Sequence, residues 1–159
     1  MKNEAKLRDW EIMKLGCLNN PDLKDFKEGD FVNFTGSVFV ARDATLKKIK
    51  NFKKLKDTFI YLCGPIIKKG KVISAGPTTT LRLKWAFEKM KKAGVRGIIG
   101  KGRVEKKDLK GLIYLEAAGG CGALYASKVK KFKIVAFKNL GPQALMKFEV
   151  EEFPVLVSK

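Results

Sequence analysis

The chain has no histidine. Any chemistry it performs must move protons without imidazole, and a Ser-His-Asp triad, a Cys-His pair and a histidine-rich zinc site are excluded by counting. Cysteine is nearly as scarce. Cys17, Cys63 and Cys121 lie 46 and 58 positions apart with no C-x-x-C pair, which argues against a local zinc or redox motif, and their odd number argues against a disulfide scaffold. Cys63, behind the strand-like Phe59-Ile60-Tyr61-Leu62, reads as a small buried hydrophobe, whereas glycines surround Cys121 and leave it undefined. Long hydrophobic runs are missing too. Met1 to Trp10 is charged, and no apolar stretch approaches the roughly 20 residues of a membrane span, so the expected location is the cytoplasm.

Acidic residues are in the minority, with 34 Lys and Arg against 16 Asp and Glu and a net charge of +18. Such a balance raises nucleic acid as a partner. Much of the charge sits in Lys47 to Lys56, where Ile49 and Phe52, with Leu55 and Phe59 beyond, recur at helix-like spacing. The lysines then read as the wet face of an amphipathic helix, with a polyanion-binding face or a contact to an acidic partner subunit as alternatives. No helix-turn-helix, zinc-finger or RNP-type wording supports the nucleic-acid option.

What is present fits one α/β domain. At 159 residues and 45% hydrophobic, the chain can bury a core, and it shows no repeat or low-complexity linker. Phe31 to Val40 reads as two short strands or one bent at Gly36; Thr58 to Cys63 and Val72-Ile73 read as further strands. From Thr79 to Ala93 the period becomes helical: Leu83, Ala86, Phe87 and Met90 form one apolar stripe, with Lys91, Lys92 and Gly94 as stop signals. Strands at Val95 to Ile99 and Leu112 to Leu115, a helix at Ala123 to Lys130, a strand at Phe132 to Phe137 and an alternating tail from Leu145 to Val157 complete the pattern.

The candidate chemistry collects at strand-to-helix junctions. Gly76-Pro77-Thr78-Thr79-Thr80-Leu81-Arg82 opens a helix with hydroxyls and sets a guanidinium one turn inside. The helix start would leave N–H groups for an anion, and Thr78 and Arg82, four apart, would share a face able to take a carboxylate. Alternatively Thr78 or Thr79 is only a cap and Arg82 a surface residue. Lys101 stands between Gly100 and Gly102, as a substrate-facing cation or a plain turn lysine. Asp43 would cap the next helix, with Arg42 either at the junction or simply paired to it. Gly119-Gly120-Cys121-Gly122 offers an anion nest or a tight helix-to-sheet approach.

In order along the chain stand Gly29-Asp30, Ala41-Arg42-Asp43-Ala44, Gly64-Pro65, Gly76-Pro77-Thr78-Thr79-Thr80-Leu81-Arg82-Leu83, Gly100-Lys101-Gly102, Gly119-Gly120 and Phe153-Pro154. This succession resembles the β-subunit, or C-terminal domain, of the class I iron-sulfur fumarases and tartrate dehydratases. The resemblance covers 28–159, with 1–27 as an N-terminal extension of a single domain 1–159. It implies a swivelling β/β/α domain with mixed sheets that supplies half of an active site. An α-subunit would carry the [4Fe-4S] cluster, this chain binding no metal of its own, and the assembly would be a homodimerised heterodimer.

The reaction implied is reversible addition of water to a small dicarboxylate, fumarate to malate foremost, a step of the tricarboxylic acid cycle, with tartrate dehydration next. The resemblance assigns catalysis to Thr78 (proton transfer), Arg82 and Lys101, and substrate binding to Arg42, Asp43, Thr79, Gly119 and Gly120. Two positions depart from the family pattern: Leu46 where a histidine is usual, and Gln143 where many members have glutamate. Milder changes are Thr80 for serine and Leu83 for methionine. The competing expectations are a non-catalytic small-anion module of the same fold and, on charge alone, a nucleic-acid binder.

Overall fold

Continuous apolar runs in the central strands decide this architecture: Phe59–Leu62 and Gly97–Gly100 are buried on both faces, so alternate side chains must be covered inside the sheet and beneath helices. A computed structural model describes residues 13–15 and 26–158; Cys17 and the charged segment 1–10 lie outside the described residues. The elements are β1 (Met13–Leu15), β2 (Phe31–Ala41), α1 (Asp43–Lys48), β3 (Phe59–Leu62), β4 (Ile66–Lys68), β5 (Lys71–Ser74), α2 (Phe87–Lys92), β6 (Gly97–Gly100), α3 (Lys106–Leu109), β7 (Ile113–Glu116), α4 (Gly122–Ser127), β8 (Val129–Ala136) and β9 (Leu145–Val157). Short 3-10 helices occupy Phe52–Leu55, Thr80–Ala86 and Lys138–Gln143.

β2, β3, β6 and β7 lie side by side and parallel, while β9 runs antiparallel to both β7 and β2. The pairing therefore closes on itself into a five-stranded ring, with β8 appended to β9 and β1 to β2. β4 and β5 form a separate hairpin. This is the mixed α/β class expected. No helix among the described residues is long and apolar enough to cross a membrane.

Every ring strand sends residues into one cluster: Val38 and Val40, Tyr61, Ile99, Leu115, and Phe148 and Phe153. The rings of Tyr61 and Phe153 meet edge-on at 5.1 Å. A second cluster covers the other face, where Ile60, Leu62, Ile98 and Tyr114 meet Leu46, Phe52 and the stripe Leu83, Ala86, Phe87 and Met90. That stripe is fully buried, as its spacing required.

Some expectations change in detail, and one open alternative is decided. The lysine-rich stretch is not one helix: α1 ends at Lys48, Ile49 is extended, and the Asn51 side chain accepts from Lys53 N–H to restart a 3-10 turn. Its lysines are exposed nonetheless, with Phe52 and Leu55 buried beneath them. The Thr79 to Ala93 helix begins as a 3-10 turn and becomes α-helical only at Phe87. Phe31 to Ala41 is one strand, and its register against β9 shifts between Phe34 and Gly36, where the bend was anticipated.

Candidate active site

The carboxyl ends of the parallel strands open on one side of the ring, the place where such sheets bind ligands. β2 runs out into Arg42 and Asp43, β3 into Cys63 and Gly64, β6 into Lys101 and Gly102, and β7 into Ala117 to Gly120. Between the ends of β3 and β6, the segment from Pro77 to Thr80 crosses the opening. Pro77 bridges Cys63 and Thr79 bridges Lys101. Thr78 N–H donates to Leu62 O at 2.7 Å, Thr80 N–H to Lys101 O at 3.0 Å, and Lys101 N–H reaches Thr78 O at 3.3 Å.

This corrects the expectation of an open helix N-terminus. The amides of Thr78 and Thr80 are spent on strand-like bonds, and Thr79, the N-cap, makes no side-chain cap. Thr78 also precedes the helix, so it does not share a helical face with Arg82. The wedge instead plants Thr78, half-buried, in the seam between two strands, with Thr79 exposed beside it.

Asp43 does not cap α1. Its carboxylate Oδ2 lies 3.3 Å from Arg42 Nε and 3.3 Å from Arg82 Nη2, joining guanidiniums from two separate segments. Burial pushes the Asp43 carboxyl up, but its own backbone N–H and the Arg42 and Arg82 charges outweigh this and hold its pKa below the ordinary value. Arg42 lies across Gly64, where an added Cβ would come within 2.9 Å of its Cδ. The cap role falls to Gln143, whose Oε1 accepts from Ala44 N–H at 2.8 Å and whose carbonyl accepts from the Thr45 hydroxyl.

Lys101 lies with its stem over Gly119, 2.8 Å from where a Cβ would stand on that glycine. Gly119 and Gly120 are exposed, and Gly120 has φ +76°, a left-handed turn suited to glycine. Gly122 answers the alternative reading of the glycine cluster: its carbonyl accepts from Ala75 N–H at 2.9 Å and its Cα packs on Gly76, so it lets α4 approach the β5 end closely.

Arg42, Asp43, Lys101 and Gly119 thus follow the ends of ring strands, Thr78 lies on the crossing segment pinned between two of them, and Arg82 joins from the 3-10 helix through Asp43. The profile of the family described as "Fumarase C-terminus" matches residues 2–158. The chain belongs to this fumarase C-terminus family. A Methanocaldococcus jannaschii protein provisionally named L(+)-tartrate dehydratase subunit beta is 38% identical over 160 residues, 88% of this chain and 82% of that protein. The Escherichia coli K12 L(+)-tartrate dehydratase subunit beta is 30% identical over 155 residues, covering 86% and 77%. A Geobacillus stearothermophilus protein provisionally named class I fumarate hydratase is 31% identical over 156 residues; this chain spans 30% of its length. The resemblance drawn from the motifs holds.

In this fumarase C-terminus domain, Leu46 is a buried member of the outer cluster, so the position packs and cannot titrate. Gln143 reaches α1 from 99 residues away. Sequence reading registered it as a departure and missed its contact, since nothing local marks a cap supplied from the far end of a chain. Tyr114 and Glu116 were missed, and Thr80 was registered only as a mild change. Thr80 is wholly buried with its Oγ1 accepting Lys101 N–H at 2.9 Å; the Tyr114 hydroxyl donates to Gly102 O at 2.6 Å; and Glu116 Oε1 accepts Gly102 N–H at 3.2 Å. The one available signal was the polar spacing Tyr114 to Glu116 within an otherwise apolar strand.

Among the described residues, no group of three or more Cys, Asp or Glu side chains is placed to hold a metal ion. Cys63 is buried, and burial pushes its thiol up to about 12, though the Arg42 charge and a Tyr61 hydrogen bond pull the other way. A thiol so held is a poor metal ligand. The residues described do not fit an iron-sulfur cluster.

Proposed function

We propose that this chain is the β-subunit of a hydro-lyase that reversibly adds water to a dicarboxylate, with fumarate and malate as first substrates and tartrate next. The observation that carries the reading is Asp43, which gathers Arg42 and Arg82 onto one oxygen, while the crossing segment is tied to Lys101 through Thr79. The names borne by relatives from Escherichia coli and Methanocaldococcus jannaschii support it.

The chemistry follows from the charge. Proton removal beside a carboxylate builds negative charge on its oxygens, and cations already fixed around that group lower the barrier without reorganising. Arg42, Arg82 and Lys101 outnumber the carboxylates of Asp43 and Glu116. Each arginine keeps donors beyond those facing Asp43, in a fork that matches a carboxylate. Thr78 is the proton carrier in this reading, its backbone pinned on both sides by Leu62 and Lys101. Thr79, Gly119 and Gly120 line the substrate's approach.

The other half of the site belongs to an iron-sulfur α-subunit, whose cluster would supply Lewis acidity at the substrate hydroxyl. In this reading the domain swivels against that subunit, the pair dimerises, and the enzyme is cytoplasmic. Anaerobic co-expression with the α-subunit tests it, following fumarate absorbance after malate is added. Turnover requiring both chains is the expected result. An intact, cluster-loaded complex inert toward fumarate, malate and tartrate overturns it.

A second reading, a module that holds a small anion and catalyses nothing, is favoured by Leu46 and Gln143 standing at the departing positions. Binding of succinate without turnover by the assembled complex would select it.

A further inference from the structure

A lysine ammonium rides on four flexible carbons, so its position depends on a fixed backbone and a track for the stem. For Lys101 the track is Gly119. The backbone of the loop from Gly100 to Gly102 is pinned through the carbonyls of all three residues and the amides of Lys101 and Gly102. Gly100 O accepts Ala117 N–H at 2.6 Å, Lys101 O accepts Thr80 N–H at 3.0 Å, and Lys101 N–H donates to Thr80 Oγ1 at 2.9 Å. Gly102 N–H donates to Glu116 Oε1 at 3.2 Å, and Gly102 O accepts the Tyr114 hydroxyl at 2.6 Å.

Tyr114 stands apart in this set. Its ring is fully buried among Leu83, Phe87 and Ile98 on the outer face of the sheet. Phenylalanine would fill that space equally well, so packing does not call for the hydroxyl, and a buried hydroxyl is costly unless bonded. Its two partners are Gly102 O and Thr80 Oγ1, the latter at 3.1 Å. A phenol has one proton. With that proton on Gly102 O, the Tyr114 oxygen accepts from Thr80, whose Oγ1 in turn accepts Lys101 N–H. One buried hydroxyl therefore ties the Gly102 carbonyl to the Lys101 amide through Thr80. Gly100 completes the arrangement, since a Cβ there would fall 1.8 Å from Thr80 Oγ1.

We propose that Tyr114 is a positioning residue for Lys101, fixing the loop that aims the ammonium at a substrate carboxylate without touching substrate itself. The proposal rests on the reading of Lys101 given above. Burial pushes the phenol above its ordinary pKa; the Thr80 hydrogen bond lowers it in part, and the Glu116 charge adds to the rise, so the hydroxyl keeps its proton throughout the enzyme's working range.

The test is a double-mutant cycle in the assembled complex, with amide exchange on the full chain beside it. Tyr114→Phe is expected to lower kcat/KM about tenfold or more, mainly in kcat, as small misplacements of catalytic groups do. In a Lys101→Ala background the same change should cost less than about twofold, because the two residues act as one unit. Exchange at the Lys101 and Gly102 amides should speed by about tenfold while Ile60 and Met90 stay protected. An equal loss in both backgrounds, or unchanged exchange at Lys101 and Gly102, overturns the proposal. If Lys101→Ala leaves no measurable turnover, succinate affinity replaces kcat/KM in the cycle. If Lys101→Ala leaves kcat/KM unchanged, the assignment of Lys101 to the site fails, and the exchange measurement still decides whether Tyr114 holds the loop.

Discussion

Asp43 Oδ2 lies 3.3 Å from Arg82 Nη2 across 39 residues of sequence, and the same oxygen takes Arg42 Nε. A shared carboxylate orients both guanidiniums without consuming them. Arg82 is the more exposed of the two, at 52% of its side chain, so its pairing adds little to folding and its donors remain open to an incoming anion. Arg82→Ala should therefore leave the melting temperature nearly unchanged while removing about 3 kcal/mol or more of transition-state stabilisation. Arg82→Lys should recover only part of it, since a point charge lacks the planar fork. An unaltered kcat/KM for Arg82→Ala would remove this residue from the site.

The Asp43 carboxylate sets an acid limit. The folded-state pKa of Asp43 is depressed, because its backbone N–H and the two arginines outweigh the upward push of burial. The stabilisation it contributes is fully present above the unfolded value of about 3.9 and disappears as pH falls through the lower folded value. Urea midpoints of the wild type and Asp43→Asn should therefore differ at pH 6 and converge toward pH 3. A gap that stays constant over that interval would mean that Asp43 titrates without feeling the arginines.

The fold was legible where burial imposes a period. The stripe through Leu83, Ala86, Phe87 and Met90 is buried in full, and the alternating tail from Leu145 to Val157 is one strand with those bounds. Local chemistry misled at the junctions. Asp43 looked like a cap, yet two arginines compete for its carboxylate and Gln143 takes the cap from the far end of the chain. The threonines looked like an open helix start, yet strand ends on both sides claim their amides. Tyr114 was passed over because an aromatic in an apolar strand signals core, and only the placement of Gly102 and Thr80 gives its hydroxyl a task. Each miss depends on partners at long sequence separation, which no local pattern encodes.

Two glycines separate stability from activity. A Cβ on Gly119 would press on Lys101 Cδ at 2.8 Å, but that is the stem of a flexible side chain, which can yield. Gly119→Ala should shift stability by no more than about 0.5 kcal/mol, and by moving the ammonium should lower kcat/KM about tenfold. A Cβ on Gly100 meets buried Thr80 instead, so Gly100→Ala should cost about 1 to 3 kcal/mol in a denaturant titration. Wild-type activity in Gly119→Ala would show that the position of the Lys101 stem is immaterial.

Cys63 offers a probe of the ring itself. It is 1% exposed, its amide donates to Ala41 O at 3.2 Å, and Pro77 bridges it from the crossing segment. Burial carries its thiol up to about 12 despite the nearby Arg42. At pH 8 a thiol of that pKa is ionised in about one molecule in ten thousand, and alkylating reagents attack the thiolate. Iodoacetamide at pH 8 should therefore modify the partly exposed Cys121 well before Cys63. Labelling of Cys63, followed by mass spectrometry across a urea series, should rise only with global unfolding, because the ring must open to admit the reagent. If Cys63 were alkylated in the native protein as fast as Cys121, the crossing segment would have to detach from β3 on its own. The anchoring of Thr78 through Leu62 could not then hold in solution.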